Sequence, residues 1–265
     1  FPTPDELWTK TFKQKNEWIE SFNTIPFEFS DPRHTIRFYQ EIAVNNVMQA
    51  IAEDKKRILL TLATGTGKTF IAAQIAWKLF KTKWNLKKDK KRSPRILFLV
   101  DRNILADQAF LAFGSFSNDA LTRIDPTDIR RRGGVPKNAT VFFTIYQTFM
   151  TGKNDQPWFK EYSKDFFDFI IVDECHRGGG NDESAWRKIL DYFNPAVQLG
   201  LTATPKRDDN TDTYEYFGKP VYEYSLKEGI DDGFLTPFKV QNIQTTIDEY
   251  TFTGEDTVIE GNPEQ

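Results

Sequence analysis

Residues 58–69 read Ile-Leu-Leu-Thr-Leu-Ala-Thr-Gly-Thr-Gly-Lys-Thr, and no other segment constrains this chain as strongly. An apolar run that breaks into a glycine-rich turn and re-enters as a helix forms a cradle for phosphate. In Thr64-Gly65-Thr66-Gly67 the two glycines let the backbone curl, so that successive N–H groups face an anion. The new helix adds the positive end of its dipole. Lys68 is placed to reach the β- and γ-phosphates, and the Thr69 hydroxyl to hold Mg²⁺. Leu62 stands where the general phosphate-loop pattern has its first glycine. The flanks compensate: a β-rich run precedes the turn, and Phe70–Phe80 carries apolar residues at helical spacing. The bland alternative is a Gly/Thr turn that binds nothing.

A second run, Phe166-Phe-Asp-Phe-Ile-Ile-Val172, is of the kind buried in a parallel sheet, and it ends in Asp173-Glu174-Cys175-His176. Carboxylates at the carboxyl end of such a strand stand where α/β sheets bind ligands. Asp173 is expected to organise Mg²⁺, partly through water. Glu174 is expected to orient and deprotonate the water that attacks the γ-phosphoryl group. Alone, an Asp-Glu pair after a strand is usually a solvated turn. About a hundred residues downstream of a phosphate cradle, it points to hydrolysis rather than binding alone.

The alternation around these motifs sets the fold class. Strands are expected near 57–63, 95–101, 139–145, 166–172 and 196–201, with helices between them, including a long one over 35–54. That order implies an α/β domain, a mostly parallel sheet with helices on both faces. Thr3-Pro4-Asp5-Glu6 reads as the capped start of a helix, and a second amphipathic stretch runs through Trp18, Ile19 and Phe22. Tyr214 to Tyr224 suggests a helix and a short strand, and Phe238 to Thr246 a strand. The expected organisation is a helical extension over 1–34, a motor domain over 35–237 and a strand or hairpin connector over 238–265.

Bulk properties exclude several classes. Twenty-four Phe and 6 Trp suffice for a packed core in 265 residues, and a net charge of −3 gives no overall nucleic-acid signal. Cys175 is the only cysteine, so no internal disulfide is possible, and with only His34 and His176 a zinc site is not expected. Neither a membrane-length apolar run nor a signal peptide is visible, and a cytoplasmic setting is expected. A chain opening on Phe1 reads as a piece of something larger. Local basic stretches occur at 81–92 and at Arg130, Arg131, Arg132 and Lys137, both read as loops.

Two further segments complete a set. Leu199-Gly-Leu-Thr202-Ala203-Thr204-Pro205 follows another buried strand, where hydroxyls could bond to His176 and Glu174. In Arg37-Phe-Tyr-Gln40, the Gln40 amide could read an adenine edge. Together these segments resemble the first RecA-like domain of superfamily 2 helicases and translocases. Phe-Tyr-Gln40 is similar to the Q motif, Leu62–Thr69 to motif I, Asp173–His176 to motif II and Thr202-Ala-Thr204 to motif III. Val100-Asp-Arg102 with Leu105 and Gln108 is similar to motif Ia, and Thr144-Ile-Tyr-Gln147 to motif Ib. Longer matches over Asp173–Trp186, Gln198–Arg207, Tyr224–Ile230 and Gly233–Pro237 resemble the motor (R) subunit of type I restriction enzymes.

That resemblance implies an ATP- and Mg²⁺-dependent translocase. It would pull double-stranded DNA towards methyltransferase and specificity subunits and cleave remotely. It assigns catalysis to Lys68, Asp173, Glu174 and His176, and nucleotide binding to Gln40 and Thr64–Thr69. Coupling falls to Thr202 and Thr204, and DNA-backbone contact to Arg102, Gln108, Thr144 and Gln147. It also implies a nuclease domain and a second RecA-like domain carrying an arginine finger, neither with a counterpart here. The chain alone is therefore expected to hydrolyse ATP slowly, since that arginine contributes roughly 10³–10⁵ in rate. Two alternatives stay open: another superfamily 2 DNA or RNA helicase, and an interaction module for which nucleotide is only a conformational ligand.

Overall fold

The expected strands form because their residues alternate between two apolar surfaces, each covered by helices. A computed structural model of the chain describes residues 3–4, 16–29, 35–153, 156–175, 183–203 and 211–237. It divides into a unit Phe1–Leu235 and a second, Thr236–Gln265. The strand expected at 238–246 and the opening helix beyond Pro4 lie outside the described residues, as do His176 and Thr204.

In chain order, Glu17–Asn23 (α1) and Phe38–Ala52 (α2) precede the strand Arg57–Leu62 (β1) and the helix Lys68–Lys81 (α3). Next come Ile96–Val100 (β2), Asn103–Ala112 (α4), Leu121–Arg123 (β3) and Pro126–Arg132 (α5). Val141–Ile145 (β4) leads directly into Tyr146–Met150 (α6). The remainder is Phe169–Val172 (β5), Glu183–Tyr192 (α7), Val197–Thr202 (β6), Thr211–Phe217 (α8), Tyr222–Tyr224 (β7) and Leu226–Asp231 (α9). These seven strands make one sheet in the order β3-β4-β2-β5-β6-β1-β7, and Gly152–Lys153 pairs with Gln156–Pro157 in a separate antiparallel ribbon. Every pairing in it is parallel.

Period-two burial is visible in β1. Ile58, Leu60 and Leu62 join a core shared with α1, α2, α3 and α4, whereas Leu59 joins the opposite core with α5, α6, α7 and α8. Both faces are therefore covered, as parallel sheets require. Residues expected as the basic loop around 130–132 instead form α5, because Asp125 accepts from the Thr127 and Asp128 N–H groups and Pro126 supplies a preset first turn. The short edge strand β3 and the helix α9 were not legible in the residue pattern. The first lacks the length of an apolar run and the second lacks an apolar stripe.

Strand order matters for the site. β1, β6 and β5 are adjacent and parallel, so the segments that leave their carboxyl ends emerge side by side.

Candidate nucleotide site

The phosphate loop is held by its neighbours rather than by its own side chains alone. Gly65 and Gly67 sit at φ 87° and 86°, in the left-handed region, and Gly67 is the residue that caps α3. A Cβ on Gly67 would lie 2.8 Å from Gln40 Nε2. The Thr66 carbonyl accepts from both Tyr39 Oη, at 3.0 Å, and Gln40 Nε2, at 2.9 Å, while the Thr66 hydroxyl donates to the Ala63 carbonyl at 2.6 Å. The Gln40 amide oxygen accepts from the Arg37 N–H at 3.1 Å. Both halves of that amide are thus committed to the loop and the helix start. Each half keeps one further position, an N–H on Nε2 and a lone pair on Oε1, so this loop-holding role stands beside the adenine-reading role expected of Gln40.

Lys68 and the carboxylates meet. The Lys68 ammonium donates to the Leu62 carbonyl at 3.4 Å and lies 3.3 Å from Glu174 Oε1, and both side chains are largely buried. Thr69 follows on the first turn of α3, half-buried. Thr64 and Gly65 are exposed at the loop tip. Asp173 is 7% exposed at the end of β5. Its N–H donates to the Leu99 carbonyl, and its Oδ1 accepts from the Glu174 N–H. Burial first, and the neighbouring Glu174 carboxylate second, push Asp173 up to about 6, against the pull of Lys68. Glu174 adopts φ 52°, a conformation rare for a residue with a side chain. Cys175 is buried, and burial raises its thiol well above the ordinary range, so it is a packing residue rather than a nucleophile.

This donor set suits a magnesium-bound polyphosphate. The inward loop, the buried ammonium, hard carboxylate oxygens and the Thr69 hydroxyl are the groups such a ligand needs.

Beside the loop a cleft of about 440 Å³ opens between α3 and the segment that precedes α2. Phe29 and Phe70 stack there with centroids 5.8 Å apart. Gln74 exchanges two hydrogen bonds with the backbone of Glu28, and the Lys78 ammonium donates to the Phe22 and Ile25 carbonyls. These clamps deliver Phe29 to the cleft, a role outside the elements expected from the sequence. An aromatic pair, Phe27 and Phe29, between two prolines was the available signal.

The nucleic-acid candidates separate. Arg102 is exposed at the start of α4, and Gln108 and Gln147 are exposed. Gln147 lines a groove of about 800 Å³ with Asn103, Arg123 and Thr127. Thr144 corrects its expectation: it is fully buried in β4, and its hydroxyl donates to the Ile124 carbonyl at 3.0 Å. A side chain so placed presents nothing to a phosphate backbone. Thr202 is buried as the last residue of β6, in register with Thr61 of β1.

Residues 33–207 match the family described as the type III restriction enzyme res subunit. The chain is 43% identical over 255 residues to the type I restriction enzyme EcoAI endonuclease subunit of Escherichia coli, a match covering 94% of this chain and 29% of that protein. A solved fragment described as an HsdR subunit of a type I restriction enzyme from Vibrio vulnificus YJ016 superposes with a TM-score of 0.67 at 44% identity. That likeness covers 89% of this chain and 39% of the other. The ATP-dependent Type ISP enzyme LlaBIII, solved bound to DNA, shares the fold at TM-score 0.57 and 22% identity, covering 80% of this chain and 17% of its own. The chain thus spans well under half the length of these relatives. Among the described residues no helix is long and apolar enough to cross a membrane.

Proposed function

The chain belongs to the family of the type III restriction enzyme res subunit, and from that premise we propose that it is the ATP-binding motor domain of a restriction endonuclease R subunit of the type I kind. Its work is to couple ATP hydrolysis to movement along double-stranded DNA before remote cleavage. One observation carries the reading: the Lys68 ammonium and the Glu174 carboxylate stand 3.3 Å apart at the carboxyl edge of a parallel sheet. Distant in sequence, they share one small volume beside a glycine cradle.

The roles follow from those positions. Backbone N–H groups over 64–68 and the Lys68 ammonium hold the phosphates of ATP, and release of Lys68 from Glu174 frees the carboxylate as the ATP takes its place. Glu174 then accepts the proton of the attacking water at a carboxylate oxygen. Thr69 and Asp173 hold Mg²⁺, whose charge, when it is bound, offsets the negative charge that builds on the transferring group. Outside the described residues, His176 is assigned catalysis and Thr204, with Thr202, the coupling of nucleotide state. Arg102, Gln108 and Gln147 contact the DNA backbone without reading bases.

The similarity to type I subunits supports methyltransferase and specificity subunits as partners. It also supports a nuclease domain and a second RecA-like domain in the full-length protein, and a cytoplasmic setting in a bacterium or archaeon. The experiment is ATP hydrolysis by the full-length protein on long duplex DNA, with Glu174→Gln as the control. Glu174→Gln is expected to retain ATP binding and lose about 10²–10⁴ in turnover. An unchanged rate would instead assign the nucleotide a purely conformational role. Triplex displacement without strand separation supports translocation; release of a short strand would assign unwinding.

A further inference from the structure

The Asp173 carbonyl is gripped from two strands away. In the sheet order β4-β2-β5, Tyr146 leaves the end of β4, crosses the carboxyl end of β2 and donates its hydroxyl to the Asp173 carbonyl beyond β5, at 3.0 Å. That is two strand spacings, roughly 9–10 Å, a span that calls for a long, rigid side chain. Tyr146 is 2% exposed, its ring packed in the core that also holds Leu99, Val172 and Cys175. The next residue, Gln147, is exposed and is one of the side chains proposed above to contact the DNA backbone. No residue intervenes between the surface contact and the buried bond.

What the hydroxyl holds matters more than its reach. The Asp173 carbonyl belongs to the same planar peptide as the Glu174 N–H. That N–H donates to Asp173 Oδ1 at 3.0 Å, and Glu174 leaves the plane at φ 52°. On the far side, the Cys175 N–H is fixed to the Leu201 carbonyl of β6 at 3.1 Å. Turning this one peptide would withdraw the N–H that holds Asp173 Oδ1 and change φ at Glu174, from which the carboxylate reaches Lys68. Packing alone does not explain a tyrosine here. Phenylalanine would fill the same volume, and a buried hydroxyl is costly unless bonded.

We propose that Tyr146 is a positioning residue: through its hydrogen bond to the Asp173 carbonyl it transmits DNA engagement at the Gln147 surface to the catalytic carboxylates. This rests on the motor reading above. A DNA backbone held at Gln147 sets the start of α6, α6 sets the phenol, and the phenol sets the peptide that aims Glu174.

The test is steady-state ATP hydrolysis by the full-length protein at saturating Mg-ATP, with long duplex DNA titrated to saturation, for wild type, Tyr146→Phe and Tyr146→Leu. Tyr146→Phe is expected to lower the ratio of DNA-stimulated to DNA-free turnover about fivefold at saturating DNA, the scale of one lost hydrogen bond, with half-saturating DNA changed by less than about twofold. Tyr146→Leu is expected to lose the ratio to the same degree, because the hydroxyl and not the ring carries it. An unchanged ratio in Tyr146→Phe, a proportional fall of both rates, or full rescue of the leucine variant's loss by phenylalanine would overturn the proposal. Wild-type protein with no DNA stimulation would overturn the motor reading itself, so the two failures read differently.

Discussion

Asp173 shows how one residue serves function at the expense of stability. Its folded-state pKa, pushed up to about 6, lies above the ordinary value of 3.8. The folded protein therefore keeps the proton longer than the unfolded chain. That contribution to stability is complete below about pH 4 and is lost as pH rises through about 6. Asp173→Asn removes the buried charge, so the variant is expected to be more stable than wild type at about pH 8 by about 1–3 kcal/mol, with the gap closing near about pH 4. Urea unfolding of both proteins at the two pH values checks this. A gap that widens towards low pH would reverse the sign and contradict the assigned cause. The same variant should lose Mg²⁺-dependent hydrolysis, since its amide is a poorer ligand for a hard cation.

At the level of elements, the lysine-rich segment between α3 and β2 is anchored, not loose. Asp168, fully buried just before β5, accepts from the Arg92 guanidinium at 2.6 and 2.9 Å, from the Leu86 N–H at 3.0 Å and from the Arg95 N–H at 2.8 Å. The Arg92 partnership holds that guanidinium above its usual range, with the hydrogen bond to Asp168 the leading cause. Asp168→Ala is expected to cost about 2–4 kcal/mol, because it leaves two backbone donors without their buried acceptor, while the part-exposed Arg92 guanidinium can turn to solvent. Since Asp168 lies at the amino end of β5, opposite the nucleotide edge, ATP affinity of the folded variant should not move. Thermal unfolding and nucleotide titration together separate the two effects; weakened nucleotide binding at full folding would refute the placement. In the residue pattern this aspartate stands within the apolar run 166–172 with no partner in view. Its four bonds come from residues about 75 positions away in sequence, which no local reading can pair with it.

Across the whole molecule, one edge of the sheet carries both chemistries. Nucleotide groups leave β1, β5 and β6, and the exposed Arg102 and Gln147 leave β2 and β4 on the same side. Arg102→Ala in the full-length protein is expected to weaken DNA binding equally across sequences and to reduce the slope of log affinity against log salt by about one. Affinity measured on unrelated duplexes over a salt series checks it. A loss confined to one sequence would remove Arg102 from the backbone contacts.

Much of this fold was legible because its signals are local and periodic. The expected strand over 57–63 is Arg57–Leu62, the expected helix over 35–54 is Phe38–Ala52, and the glycine turn sits between a strand and a helix as its residues required. The strand expected over 166–172 begins later, at Phe169, because Phe166 and Phe167 pack as an aromatic cluster with Tyr162 and Phe142 instead of pairing.

Residue order alone therefore determined the chemistry available, since a phosphate loop and a carboxylate pair are each written within a few consecutive positions. Strand order, a property of the packed sheet, decided which of those groups meet. It set Lys68 against Glu174 and buried Thr144, while the packing of α2 on the loop made Gln40 a support for Thr66. It also carried Tyr146 across β2 to Asp173. Each of these depends on contacts between residues far apart along the chain, and only the buried sheet brings such residues within hydrogen-bond reach.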